Sequence, residues 1–402
     1  MREILLINVS ASARPALVSE LAATLAGHGV DVLDIGEAVI HEQLNLGLLV
    51  QMPEAVDSAA IIGDILRKTD ANGATARFTA ISRERYAQWV RQQGRPRYII
   101  TLLARRITAD QLREITACIA QRSLEIDGVR RLSGRLPLEA QQAEAASVEF
   151  SVRGLIGDQA ELRAALLDIA TRLSVDISIQ EDNVYRRNRR LVAFDMDSTL
   201  IDAEIIDELA RRNGVGDQVT AITQRAMRGE MDFAESFERR VGLLAGLSES
   251  VLEDVAHSVA LTEGAERLVR TLSTYGYKTA ILSGGFQYIG ERLRDRLGID
   301  YVFANRLEIE DGRITGRVIG EVVDGARKAE LLRQIAAREH ISLEQVIAVG
   351  DGANDLPMLS IAGLGIAFRA KPIVKQSARH AISNLGLDGI LYLLGFTDAD
   401  IV

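Results

Sequence analysis

Asp195 and Asp197 stand two residues apart at the end of the apolar run Leu191-Val192-Ala193-Phe194, and Ser198, Thr199, Leu200 and Ile201 follow them. A short buried strand that stops at a polar turn has this pattern. Side chains two apart on an extended chain project to the same side, so continued strand geometry would aim both carboxylates at one volume. Two close carboxylates repel, and a site that keeps them together needs a cation or a shared proton. In an open α/β sheet, such chemistry gathers at the carboxyl ends of strands.

Two later junctions repeat the pattern. Lys278 to Leu282 runs into Ser283-Gly284-Gly285, and Gln345 to Val349 runs into Gly350-Asp351-Gly352-Ala353-Asn354-Asp355. Lys328 falls in the first turn of a helix expected over Ala326 to Arg338. Singly, each has a plainer reading: Ser283 as a helix cap, Lys328 as a surface lysine, Asn354 as a turn residue. Jointly, segments spread over the chain point at one crevice.

The elements that would hold these residues follow from periodicity. From Leu191 onward, apolar runs alternate with helix-length amphipathic segments, which predicts a parallel sheet wrapped by helices. Between Asp202 and roughly His257 the pattern is helical throughout, an insertion directly after the first strand. The first 182 residues read instead as β-α-β-β-α-β twice over, the split βαβ order of ferredoxin-like folds. Helical connector residues Tyr86 to Gln93 separate the two copies. Asn183 to Arg190, with four arginines, reads as a solvated linker. The expected domains are 1–82, 97–182 and 191–402, with the helical insertion at about 202–257.

Composition narrows the function. The 402 residues are 47% hydrophobic and 26% charged, which suits a globular chain of two or three domains. A net charge of -9 argues against nucleic-acid binding, so a small anionic substrate must be drawn in by local cations. The single Cys118 excludes an internal disulfide framework and fits a reducing cytoplasm. No apolar run approaches ~20 residues, so no membrane span is expected. Gly350-x-Gly352 lacks the third glycine of a dinucleotide turn, and no P-loop lysine motif occurs. The five histidines form no metal-ligand spacing.

The run Phe194-Asp195-Met196-Asp197-Ser198-Thr199-Leu200-Ile201, with Ser283, Lys328 and Asp351 downstream, resembles the haloacid-dehalogenase-like phosphohydrolases, and within them the branch that acts on phosphoserine. The resemblance implies a Rossmann-like doubly wound α/β domain with a helical cap insertion. It implies that Asp195 is the nucleophile that becomes an aspartyl phosphate and that Asp197 is the general acid and base. It further implies Mg²⁺ held by Asp195, the Asp197 backbone carbonyl and Asp351, with Asp355 bracing that site. Ser283, Gly284 and Lys328 would bind the phosphoryl oxygens, and Asn354 the substrate or its surroundings. Glu204 and Arg240 would read the ammonium and carboxylate of a phosphorylated amino acid, and Met227 and Phe233 would wall the site. Substrate alternatives are phosphohomoserine or another small phosphoester. A non-enzymatic alternative is an amino-acid sensor with a degenerate phosphatase half, which the intact set of catalytic residues opposes.

The first N-terminal copy is similar to ACT-type domains in Arg14-Pro15-Ala16-Leu17 and His28-Gly29-Val30-Asp31. It departs from them at the ligand turn, where Ala13 and Ala16 stand in place of the usual acidic residue and glycine. The second copy keeps the hydrophobic pattern alone. For this half, subunit association in a homodimer is the leading expectation, with an amino-acid effector as the other.

Overall fold

The computed structural model describes residues 3–12, 15–54, 57–135 and 145–402, the side chains of Pro15 and Met227 excepted. The chain divides into two compact units, Met1–Arg95 and Pro96–Val402. Ala13 of the altered ligand turn lies outside the described residues, and Ala16 is exposed.

The first unit runs β1 (Ile4–Ser12), α1 (Pro15–Gly27), β2 (Asp31–Ile40), β3 (Gln43–Gln51), α2 (Ser58–Ala71), β4 (Thr75–Ile81) and α3 (Arg83–Gln93). Its strands form an antiparallel sheet in the order β2-β3-β1-β4. The period-two burial of Leu5, Ile7, Val9 and Ala11 on β1, matched by Leu44, Leu46, Leu48 and Val50 on β3, supplies one apolar face for α1 and α2. Asp57 accepts from the Ala59 N–H to start α2, and Ser82 accepts from Arg85 to start α3. The edge strand β2 leaves Val32, Ile35, Val39 and Ile40 exposed.

The second unit opens with the same order: β5 (Arg97–Ala104), α4 (Ala109–Gln121), β6 (Glu125–Arg131), β7 (Ala146–Arg153), α5 (Gln159–Leu173) and β8 (Asp176–Glu181), with sheet order β6-β7-β5-β8. A reciprocal capping box between Thr108 and Gln111 fixes the start of α4.

There follow β9 (Leu191–Phe194), α6 (Ile205–Arg212), α7 (Gly216–Met227), α8 (Phe233–Gly242), α9 (Glu249–Ser258), α10 (Ala265–Thr274), β10 (Lys278–Phe286), α11 (Gln287–Leu297), β11 (Tyr301–Glu310) and β12 (Arg313–Ile319). The chain ends through α12 (Gly325–Arg338), β13 (Val346–Gly350), α13 (Leu356–Ile361), β14 (Leu364–Phe368), α14 (Pro372–Ser377), β15 (His380–Ile382) and α15 (Gly389–Leu393).

These strands make one sheet in the order β12-β11-β10-β9-β13-β14-β15, parallel except for β12. The short strand β9 is central and fully buried. Leu191 and Ala193 face one core and Val192 and Phe194 the other, as a doubly wound sheet requires. β9 pairs with β10 on one side and β13 on the other, so the chain turns outward in both directions from it. That switch point opens a crevice at the carboxyl ends of the strands.

Three sequence expectations change. The Asn183–Arg190 segment is not a solvated linker: Arg186 and Arg189 are buried, Arg186 pairing with Glu149 at 2.6 Å and Arg189 donating to the Glu344 carbonyl. Strand β10 continues through Ser283-Gly284-Gly285 rather than stopping at Leu282. The hairpin β11–β12 and the short strands β14 and β15 are not among the strands placed from the sequence, although Leu364–Phe368 of β14 is an apolar, fully buried run as long as those that are.

Candidate active site

Strand β9 ends at Phe194, but Asp195 stays fixed because its N–H donates to the Val349 carbonyl of β13 at 2.8 Å. One Asp195 carboxylate oxygen accepts from the Met196 N–H and from Lys328 Nζ, both at 2.8 Å. The backbone then turns. The Met196 carbonyl accepts from Thr199, Leu200 and Ile201, and Ser198 adopts a left-handed φ of 56°. Extended geometry therefore does not carry on to Asp197. Asp195 and Asp197 still line one cavity, because the turn brings Asp197 round against β10.

The cavity has a volume of about 730 Å³. It is bordered by Asp195, Asp197, Glu204, Arg240, Ser283, Gly284, Asp351, Asn354 and Phe233 of the sequence set. The described part of Met227 does not include its side chain. Lys328 and Asp355 lie behind the wall, each fully buried.

Strand β10 reaches the cavity through a bulge, since its pairing with β11 shifts between Leu282 and Phe286. Ser283 Oγ accepts from the Gly285 N–H at 2.9 Å, and buried Asn305 donates to the Gly284 carbonyl while accepting from Val323. Both glycines are dictated by close approach. A Cβ on Gly284 would lie 2.8 Å from the Phe233 ring, and one on Gly285 would lie 2.7 Å from Met196 and 3.0 Å from the Asp197 carboxylate.

Behind the wall, Lys328 sits in the first turn of α12, which Asp324 caps by accepting from Arg327. Its ammonium reaches Asp355 at 2.7 Å, and the Gly352 N–H donates to the second Asp355 oxygen at 2.9 Å. One carboxylate oxygen each from Asp195, Asp351 and Asp355 falls within 4.8 Å of the others, an arrangement able to hold a hard cation. The Asp197 carboxylate is outside that cluster. Thr199 donates to Asp351 at 3.3 Å.

Electrostatics sets the carboxylates apart. Burial, reinforced by Glu204 and Asp195, pushes Asp197 well above the usual range, and its buried Oδ1 has no hydrogen-bond partner. Burial and then Asp195, Asp355 and Glu204 push Asp351 up to about 7. Burial followed by Asp195 raises Asp355 to about 6, against the pull of Lys328. Burial opposes charge on Lys328, but Asp195 and Asp355 outweigh it and raise its pKa.

Glu204 is not on a helix, as the sequence pattern suggested, but caps α6 from an extended conformation. Its carboxylate accepts from Ser198 Oγ at 2.7 Å. Arg240, on α8, donates from Nε to the Ser236 carbonyl at 3.3 Å. Burial lowers its pKa while Asp207, Glu204 and Asp197 raise it. Phe233 stacks on Phe237 at 6.0 Å, and Phe237 meets Phe286 at 5.9 Å, so α8 rests on the end of β10 through aromatic rings. Sequence reasoning missed Asp207, Asn305 and Lys371. Asp207 lies one turn along α6 from Glu204, and that i,i+3 spacing was the available signal.

Comparison with known proteins agrees with this geometry. A family model described as haloacid dehalogenase-like hydrolase matches residues 192–360, and two ACT domain models match 3–79 and 97–180. A phosphoserine phosphatase of Streptomyces coelicolor is 41% identical, covering 99% of this chain and 93% of that one. One of Mycobacterium tuberculosis is 40% identical, covering 98% and 94%. Among solved structures, a HAD family hydrolase from Salmonella enterica serovar Typhi superposes with a TM-score of 0.64 at 34% identity, covering 74% of this chain and 98% of that chain. A probable phosphoserine phosphatase from Vibrio cholerae gives 0.60 at 33% identity, covering 74% and 86%.

Proposed function

Because this chain belongs to the haloacid dehalogenase-like hydrolases, with two ACT domains ahead of the hydrolase domain, we propose that it is a Mg²⁺-dependent phosphoserine phosphatase that releases L-serine and phosphate. The observation that carries this reading is the meeting of β9, the β10 bulge, the β13 turn and α12 at one cavity that also holds Glu204 and Arg240. The names of relatives matched over almost their full length support it.

Asp195 is the nucleophile. Its carboxylate oxygen forms a bond to phosphorus as the bond from phosphorus to the seryl oxygen breaks. Lys328 pairs with the Asp195 carboxylate and offers positive charge to the phosphoryl oxygens. Ser283 and the Gly284 N–H donate to those oxygens from the bulge. Asp197, held protonated by burial and its acidic neighbours, gives its proton to the departing oxygen. As a carboxylate it then takes a proton from the water that attacks the acyl phosphate, which frees phosphate and restores Asp195.

The donor set fits Mg²⁺. Asp195, Asp351 and the Asp197 backbone carbonyl would hold it, with Asp355 bracing the group, and all are hard oxygen donors. Asp351, pushed up to about 7 by burial and then by Asp195, Asp355 and Glu204, sits where a divalent cation would relieve the cost of its charge. The ion supplies charge neutralisation for the phosphoryl group.

Glu204 and Arg240 face the same cavity with opposite charges, which matches an ammonium and a carboxylate on the substrate. Asn354 contacts substrate from the β13 turn, and Phe233 excludes water. The domain limits that go with this reading are 1–82, 97–182 and 191–402, with the cap at about 202–257. The ACT half holds subunits together as a homodimer, which the exposed apolar side chains of the edge strand β2 support. An amino-acid effector there is secondary. No helix among the described residues is long and apolar enough to cross a membrane, and the single buried Cys118 suits a cytoplasmic enzyme of serine biosynthesis.

The test is phosphate release from phosphoserine, phosphothreonine, phosphohomoserine and p-nitrophenyl phosphate, each with Mg²⁺ and with chelator. Phosphoserine should turn over fastest and chelation should stop the reaction. Preference for phosphohomoserine would move the assignment to the related phosphoester enzymes.

A further inference from the structure

A second cavity, of about 500 Å³, lies between α5 and β8 on one side and α14, β15 and the turn after β15 on the other. None of its lining residues belongs to the turn that precedes α4. Arg163 on α5, Lys375 on α14 and Arg379 beside β15 all border it. None of the three forms an ion pair with a described carboxylate, and Arg163 Nε is buried without a hydrogen-bond partner. The acid lining the cavity, Asp176, is already engaged: it accepts from the Ser383, Asn384 and Leu385 N–H groups and from the Asn384 side chain. Three cations thus stand against one carboxylate, leaving two positive charges unanswered.

His380 reports the same imbalance. Burial first, then Arg163, Arg189 and Arg379, press its pKa down to about 3, so the imidazole bordering the cavity is neutral. A monocarboxylate would cancel half of the excess charge. A phosphate dianion would cancel all of it, and guanidinium forks suit its tetrahedral oxygens.

The cavity is linked to the catalytic one by a single short element. Lys371, Ile373 and Val374, at the start of α14, border the catalytic cavity, whereas Lys375, Gln376, Ala378 and Arg379 border the second. A six-residue helix cannot reposition one end without the other. We propose that this second cavity binds inorganic phosphate between Arg163, Lys375 and Arg379, and that its occupancy alters the catalytic cavity through α14. The proposal rests on the phosphatase reading for the source of the phosphate and for its kinetic arm; the number of phosphates bound can be read without turnover.

Calorimetric titration of the full chain with inorganic phosphate tests the site. Two binding events per chain are expected for the wild type and one for Arg163→Gln/Arg379→Gln. A single event in the wild type, or two unchanged events in the double variant, would overturn the proposal. Arg379→Gln alone changes an exposed side chain and should weaken the second event at least tenfold, so an unaltered second event in that chain also refutes it. In steady-state assays with phosphoserine, phosphate should lower kcat as well as raise KM in the wild type, but only raise KM in the double variant. A fall in kcat that persists in the double variant would sink the link through α14.

Discussion

The Lys328 ammonium lies 2.7 Å from the Asp355 carboxylate, and neither side chain reaches solvent. The same ammonium is 2.8 Å from Asp195, so one cation holds a carboxylate that faces substrate against one that does not. Removing one member of a buried pair strands the other charge, at about 3–5 kcal/mol. Lys328→Met should therefore lower the unfolding free energy read from urea titration by an amount in that range and reduce turnover below detection. Lys328→Met with Asp355→Leu should regain part of the stability and none of the activity. A Lys328→Met chain as stable as wild type would show that the ammonium does not hold the carboxylates together.

Asp195→Asn should abolish turnover, because an amide does not form an acyl phosphate. Asp197→Asn should cost ~10²–10⁴-fold in kcat through lost proton transfer, with KM for phosphoserine close to wild type. Wild-type activity in the first variant, or an unchanged kcat in the second, would remove the role assigned to that residue. The raised pKa of Asp197, caused first by burial, is what equips it to start the cycle as an acid.

Much of this site was legible because Phe194, Leu282 and Val349 each close an apolar run before polar residues, even though β10 itself runs on to Phe286. The first expectation for Asp197 reached the right cavity by an inexact route. It assumed an extended chain, whereas the Met196 carbonyl gathers three N–H groups into a turn and Ser198 takes a left-handed φ. Buried Asn305 was not legible, since its role depends on joining the β10 bulge to Val323 across a register shift. Arg186 and Arg189 misled for a related reason. A run of arginines looks solvated unless the partners, Glu149 and the Glu344 carbonyl, are already known to be near.

Glu204→Gln and Arg240→Ala should separate amino-acid recognition from phosphate chemistry. Both residues line the substrate cavity, yet neither hydrogen-bonds to the Asp195–Lys328 pair. Each variant should lose far more kcat/KM on phosphoserine than on p-nitrophenyl phosphate, which carries neither an ammonium nor a carboxylate. Equal losses on the two substrates would mean that these side chains shape the cavity without reading the amino acid.

His380 should make stability depend on pH. Its folded pKa of about 3 lies below the ordinary value of 6.5 because of burial and the facing cations Arg163, Arg189 and Arg379. Between those values the unfolded chain binds the extra proton, so this contribution to stability is complete above pH 6.5 and is lost as the pH falls toward 3. The slope approaches about 1.4 kcal/mol per pH unit. His380→Asn keeps a partner for Ser178, which shares a 2.8 Å hydrogen bond with the imidazole, and does not titrate. The stability lost between pH 7 and pH 5 should be smaller by about 2 kcal/mol in that variant. The nearby Asp176 is common to both chains, so it drops out of the comparison. Identical pH profiles would show that the imidazole is not held neutral.

Where the chain can be cut follows from the buried joints within Pro96–Val402. A fragment beginning at Val184 would remove Asp176, which accepts four hydrogen bonds from residues 383–385, and Ser178, the partner of His380. It would also strip Glu149 from buried Arg186, remove the Gln180 donor to the Leu393 carbonyl, and uncover the core surface that Leu103 and Leu132 pack against. The cut thereby removes the ion pair that anchors Arg186 to the second ACT domain. A fragment beginning at Pro96 keeps every one of these contacts. The Pro96 fragment should therefore retain Mg²⁺-dependent phosphoserine hydrolysis and melt as a cooperative unit, whereas the Val184 fragment should melt lower and hydrolyse more slowly. The Pro96 fragment should also run as a smaller assembly than the full chain in light scattering, since it lacks β2 and its exposed apolar side chains. Equal melting temperatures for the two fragments would mean that the second ACT domain does not brace the catalytic sheet, and an unchanged assembly state would remove the first from the dimer contact.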